Sequence, residues 1–207
     1  MSVKLKKNNL ATRFRGLLPV IIDVETSGLN PVTDGLLEIA AVTVAMDEHG
    51  RLYPDQSVAY HVEAFVGANL DPESLAITGI DPGCPLRYAM TEQQALHSVF
   101  TLVKEKVEQV GCQRAVLVGH NAWFDLAFVQ AAAKRSYFLS NPFHSFTTFD
   151  TATLSAVALG ETVLAKAVRA AKIGFNVEKA HSALYDAEKT AELFCCIVNR
   201  FSHMLKA

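Results

Sequence analysis

Three short stretches of this 207-residue chain carry residues whose type and spacing suit metal and proton chemistry. The first is Asp23-Val24-Glu25-Thr26, at the end of the apolar run PVIID. In an extended strand, side chains two apart project from one face, so Asp23 and Glu25 present both carboxylates to one point. Paired charges behind an apolar run call for a partner, and a hard cation with oxygen ligands is the natural one. The alternative for this pair alone is a strand end with two solvated acids. The second stretch is His120-Asn121-Ala122-Trp123-Phe124-Asp125. Here Asn121 is expected to cap a helix, which puts Asp125 near the first turn, where the positive end of the helix dipole favours an anion. Ordinary capping chemistry explains this motif equally well. The third is His181-Ser182-Ala183-Leu184-Tyr185-Asp186, with Ser182 the expected N-cap. In one continuous helix His181 and Asp186 would stand about 140° apart, so they converge only if His181 lies in the preceding loop and Asp186 on the first turns. A lone histidine at a helix start also reads as a surface or capping residue.

The elements that must position these residues follow from periodicity. Residues 19–24 form a β-branched run, and residues 36–46 (LLEIAAVTVAM) a second beyond a turn rich in Gly, Asn, Pro and Asp, so the two are expected to pair antiparallel. A third strand is expected over 58–65 and a short buried one over 115–118. Helical periodicity marks 92–110, then 123–135, 151–159, 163–171 and 182–205. Early strands and late helices around a β–α–β–α passage describe an α/β domain, a mixed sheet covered by helices. One domain is expected over residues 1–207, with 1–12 a flexible basic segment. Among the other acids, Glu38 faces either the acid cluster or a local hydrogen bond, Asp150 is expected to cap a helix, and Glu188 and Glu192 to lie on a solvated face.

A net charge of −2 is not what a nucleic-acid binder usually carries, but Lys4, Lys6, Lys7, Arg13 and Arg15 make the first twenty-two residues basic without one acid. Cys84, Cys112, Cys195 and Cys196 form no CxxC pair and are expected to be reduced and structural, with no zinc site. No run of eighteen apolar residues occurs, and the first ten residues lack a secretory h-region, so a soluble cytoplasmic protein, with no membrane partner, is expected.

Taken together, the order D-x-E, D, H-x4-D resembles the DEDDh branch of the DnaQ-like 3′→5′ exonucleases, which implies an RNase H-like fold. The stretches HVEAFVGANLDPESLAITGIDP, NPFHSFTTFDTATL and AHSALYDAEKTAELFCCIVNR further resemble the ribonuclease T family, from about Arg13 to Phe201. The resemblance implies two Mg²⁺ ions, with Mn²⁺ able to substitute. Asp23, Glu25 and Asp186 would hold one, Asp23 and Asp125 would help hold the second, and His181 would act as general base. It implies base stacking by Phe124 and Phe146 and a base contact by Glu73. Leu29 and Ile77 stand where the family has two further phenylalanines, so weaker terminal-base binding or altered base discrimination is expected.

The family resemblance also implies a homodimer in which a basic patch docks RNA. Arg13, Arg15 and Arg114 match that patch, whereas Glu108 and Leu139 stand where basic residues would be expected. The implied substrates are 3′ ends of transfer RNA and other stable RNAs, with single-stranded DNA left open. Two rivals stay open: a proofreading DNA exonuclease or oligoribonuclease with the same chemistry, and a silent module that only binds nucleic acid or partners.

Overall fold

The computed structural model describes residues 10–202. Lys4, Lys6, Lys7 and Leu205 lie outside them, and the last helix, expected to reach Leu205, ends at Arg200. The apolar run before the acids forms β1 (Leu17–Thr26). Its partner β2 (Leu36–Met46) has the expected bounds and runs antiparallel, setting Asp23 opposite Ala40 and Glu25 opposite Glu38. The third strand, β3 (Leu52–His61), lies earlier than the expected 58–65. Most of its side chains are exposed, so alternation marks it poorly. Its place is set by pairing with β2 and by Asn199, which bonds both the N–H and the carbonyl of Leu52 at 2.8 Å.

Parallel pairing then adds β4 (Arg114–Gly119) beside β1 and β5 (Phe143–Asp150) beside β4, giving the order β3-β2-β1-β4-β5. The expected mixed sheet is thus present. β5 was not expected from the sequence: it is an edge strand whose pairing with β4 is interrupted between Phe143 and Thr148.

Seven α-helices surround the sheet among the described residues: α1 (Leu10–Arg13), α2 (Pro72–Thr78), α3 (Glu92–Val110), α4 (Ala122–Arg135), α5 (Thr151–Leu159), α6 (Leu164–Ala170) and α7 (Ala183–Arg200). α3 has the expected bounds because both ends are marked in the sequence. Thr91 and Gln94 form a reciprocal capping box, and Gly111 ends the helix at φ 69°. It buries Ala95, Val99 and Val103. The Lys106 stem is buried too, with its ammonium 2.6 Å from Asp55. α7 packs along β1, β2 and β3, while α3 and α4 pack together and against β1, β2, β4 and β5. No single described helix is long and apolar enough to cross a membrane. α5 and α6 would pass only as a pair bent by 42°, and α6 buries Ala167 and Val168 beside Leu193 and Ile197 of α7.

Candidate active site

β1 brings Asp23, half-buried, and Glu25, buried, to one side of the sheet. Asp125 lies in the first turn of α4, and its Oδ1 accepts the N–H of Val24 at 3.1 Å. That bond fastens α4 to β1 between the two strand acids. Gly119, ending β4, makes the approach possible: a Cβ there would stand 2.7 Å from Oδ2 of Asp125 and 3.0 Å from Cα of Ala122. Asp186 sits in the first turn of α7, and His181 lies in the loop before it. His181 adopts the left-handed conformation at φ 64°, and its N–H donates to Oδ2 of Asp186 at 3.0 Å. The condition for convergence is therefore met. One ligand atom each from Glu25, His181 and Asp186 lies within 4.8 Å of the others, close enough to hold a metal ion. All five residues line one cleft of about 470 Å³ together with His120, Asn121, Trp123 and Phe124.

Two expected caps are corrected. Asn121 and Ser182 occupy N-cap positions, but neither side chain makes a capping hydrogen bond. Asn121 is left-handed at φ 71°, and the N–H groups of Asn121 and Ala122 donate to Asp150 at 3.3 and 3.0 Å. The same carboxylate caps α5 through Ala152 and Thr153 at 2.8 and 3.3 Å, so the expected Asp150 cap serves two helices. A charged acceptor satisfies such N–H groups more strongly than a neutral amide. At α7, the Ala183 N–H points instead at Oε2 of Glu38, 3.4 Å away. Glu38 also meets Nδ1 of His61 at 2.8 Å, so the expected local bond is present; it does not line the cleft, though its charge helps raise the pKa of both strand acids.

Among the described residues no lysine or arginine forms an ion pair with the four acids. Burial, then the charges of Asp186, Glu38 and Asp125, push Glu25 up to about 8. Burial raises Asp23 well above the usual carboxylate range, reinforced by Asp125, Glu25, Asp186 and Glu38. Burial also raises Asp125, opposed by backbone N–H bonds, and Asp186, opposed by the N–H and charge of His181. Oδ1 of Asp186 is buried without a hydrogen-bond partner. Crowded carboxylates with an unsatisfied oxygen and no cationic side chain fit a divalent cation with oxygen ligands.

His120 carries no sequence signal of its own. Its Nδ1 lies 3.0 Å from Oγ1 of Thr151 and its Nε2 2.8 Å from the carbonyl of Thr162, and burial lowers its pKa. Those partners are 31 and 42 residues away, so no local pattern announces them. Phe124 is half-buried, its ring 4.9 Å from that of Phe128.

Leu29, Glu73, Ile77 and Phe146 are exposed and do not line the cleft itself. Leu29 belongs to the loop following β1, and Glu73 and Ile77 to α2. These two segments are stitched together. Asp34 accepts from the Asn30 N–H and the Asn69 side chain, and the Asp71 N–H donates to the Ser27 carbonyl. Arg13, Arg15 and Arg114 meet elsewhere, lining a cleft of about 790 Å³ with His144 and Phe149. Arg13 also donates to the Val198 carbonyl of α7 at 3.4 Å, while Leu139 stands fully exposed.

A family model described as Exonuclease matches residues 20–194. Ribonuclease T of Salmonella typhimurium is 56% identical over 204 residues, covering 99% of this chain and 95% of that protein. Ribonuclease T of Escherichia coli K12 is 54% identical over the same shares. Among solved structures, E. coli exonuclease I in complex with a dT13 oligonucleotide has the same fold, with a TM-score of 0.68 at 17% identity. That match covers 92% of this chain and 43% of the other, so the chain spans less than half of exonuclease I. The chain belongs to the exonuclease family, within its ribonuclease T group.

Proposed function

We propose that this chain is a 3′→5′ exoribonuclease that releases nucleoside 5′-monophosphates from RNA 3′ ends. The convergence of Asp23, Glu25, Asp125, Asp186 and His181 on one cleft carries this reading. Asp23, Glu25 and Asp186 would hold one Mg²⁺, or Mn²⁺ in its place, and Asp23 with Asp125 would help hold a second. When bound, two such cations would activate a water and stabilise the leaving oxygen of a displacement at phosphorus. The four carboxylates would balance the charge of the cations and set their positions. His181 takes the proton of the attacking water on an imidazole nitrogen, the side-chain group that most often serves as general base. Phe124 and Phe146 stack on terminal bases, and Glu73 reads a base edge, with Leu29 and Ile77 giving apolar contact.

Residues 1–207 act as one exonuclease domain. A homodimer, RNA docking along the Arg13, Arg15 and Arg114 cleft, and a cytoplasmic role at the 3′ ends of transfer and other stable RNAs complete the proposal. Glu108 and Leu139 dilute that docking surface. Single-stranded DNA is a second substrate class, favoured by the fold shared with an exonuclease I that binds dT13. Chromatography of the products from a single-stranded RNA tests the chemistry. Nucleoside 5′-monophosphates are expected, whereas internal fragments or 3′-monophosphates would overturn it.

A further inference from the structure

We propose that Trp123 is a nucleobase platform at the mouth of the cleft, its indole lying against a base of the single strand whose 3′ end reaches the acids. Resting on the exonuclease reading, this adds a contact that the DEDDh acids and the Phe124–Phe146 pair do not supply. Tryptophan is highly buried on average, yet this one, the only one in the chain, is 66% exposed while lining the same cleft as Asp23, Glu25, Asp125 and His181.

The fold does not need it there. α4 buries Ala122, Asp125, Leu126, Phe128 and Val129 and leaves Trp123 out. Its one ring contact among the described residues is edge-on with Phe124, at 5.8 Å and 87°. An exposed aromatic face, carried on the first turn of a helix and two residues from Asp125, is thus left available.

The surroundings favour a base over a phosphate as its ligand. Two divalent cations would balance the four carboxylates and leave no surplus positive charge for the rest of the sugar–phosphate backbone, so a strand must also be held by contacts that do not depend on charge. Aromatic faces bind bases without demanding sequence. Leu29 and Ile77 offer no such face, and an indole offers a large one.

Because the chain has one tryptophan, its fluorescence reports on this residue alone. The full chain is titrated with a single-stranded RNA ending in a 3′-terminal phosphorothioate, with Mg²⁺ present, and binding is followed in parallel by anisotropy of a 5′ label. The indole emission is expected to be quenched with the same midpoint as the anisotropy. Trp123→Ala is expected to raise KM by about tenfold with kcat within about twofold, and Trp123→Phe to recover most of that loss. RNA binding that leaves the emission unchanged, or an unchanged KM in Trp123→Ala, would overturn the platform while leaving the exonuclease standing. Emission that follows protein concentration and ignores RNA would also overturn it, placing Trp123 between copies of the chain. Wild-type chain that neither binds nor degrades RNA would remove the exonuclease reading itself.

Discussion

His181 donates its backbone N–H to Oδ2 of Asp186 at 3.0 Å, so the proposed base and a proposed metal ligand are held together by the main chain, not by the imidazole. The ring is left exposed for work at the cleft. His181→Asn should therefore keep the local structure, since Asn tolerates the left-handed φ of 64° and retains the same N–H. Activity should fall by about 10²–10⁴-fold, the range for loss of a general base, with an unchanged melting temperature. Steady-state kinetics beside thermal denaturation separates the two; a large drop in melting temperature would mean the ring supports the fold.

The crowded acids make stability depend on pH and on metal. Glu25 binds its proton more tightly in the folded chain, at about 8 against an ordinary 4.5. Its contribution is therefore full below the ordinary value and is lost as pH rises through about 8. With EDTA present, the melting temperature should fall across that window, and Glu25→Gln should flatten the fall. Mg²⁺ should restore stability at the alkaline end and do little at the acid end, by mass action on the folded state. Calorimetry across pH, with and without metal, measures both; a profile that ignores Mg²⁺ at the alkaline end would contradict the metal assignment.

Asp150 caps α4 and α5 at once, so Asp150→Ala removes two caps. At ~1 kcal/mol each, the loss should be about 2 kcal/mol in urea unfolding. Asp125 rides on the first turn of α4, so activity should fall as well. Asp150→Asn, a good N-cap residue, should recover most of the stability.

Leu29 and Ile77 are 79% and 64% exposed, so larger rings fit at both without disturbing a core. Leu29→Phe with Ile77→Phe should lower KM on single-stranded RNA by about fivefold or more, given ~1–3 kcal/mol per stacked base. Comparing trimming of 3′-terminal C and A in both proteins tests base discrimination. An unchanged KM would place these residues outside the base-binding surface.

Sequence and structure agree where a pattern is carried by buried residues. β2 and α3 have the expected bounds because a β-branched run and a capped apolar stripe mark them. α2 was missed because it buries no residue and so leaves no periodicity to read. β5 and β3 lie at the edges of the sheet, where one neighbour strand, not local alternation, decides the pairing. The five polar residues of the site were legible from type and spacing, and convergence of His181 with Asp186 was legible as a condition. The caps were misassigned because their true acceptors come from afar: Asp150 lies 28 residues beyond Ala122, and Glu38 lies 145 before Ala183. Trp123 carried no signal beyond its neighbours until its exposure was known.

The most direct test of the central claim is degradation of a 5′-labelled single-stranded RNA in Mg²⁺, resolved to single nucleotides, beside EDTA and Asp23→Ala controls. A ladder shortening one nucleotide at a time from the 3′ end, abolished by both controls, is the expected result. RNA that stays intact while bound by folded protein, or a ladder that survives EDTA, would contradict it.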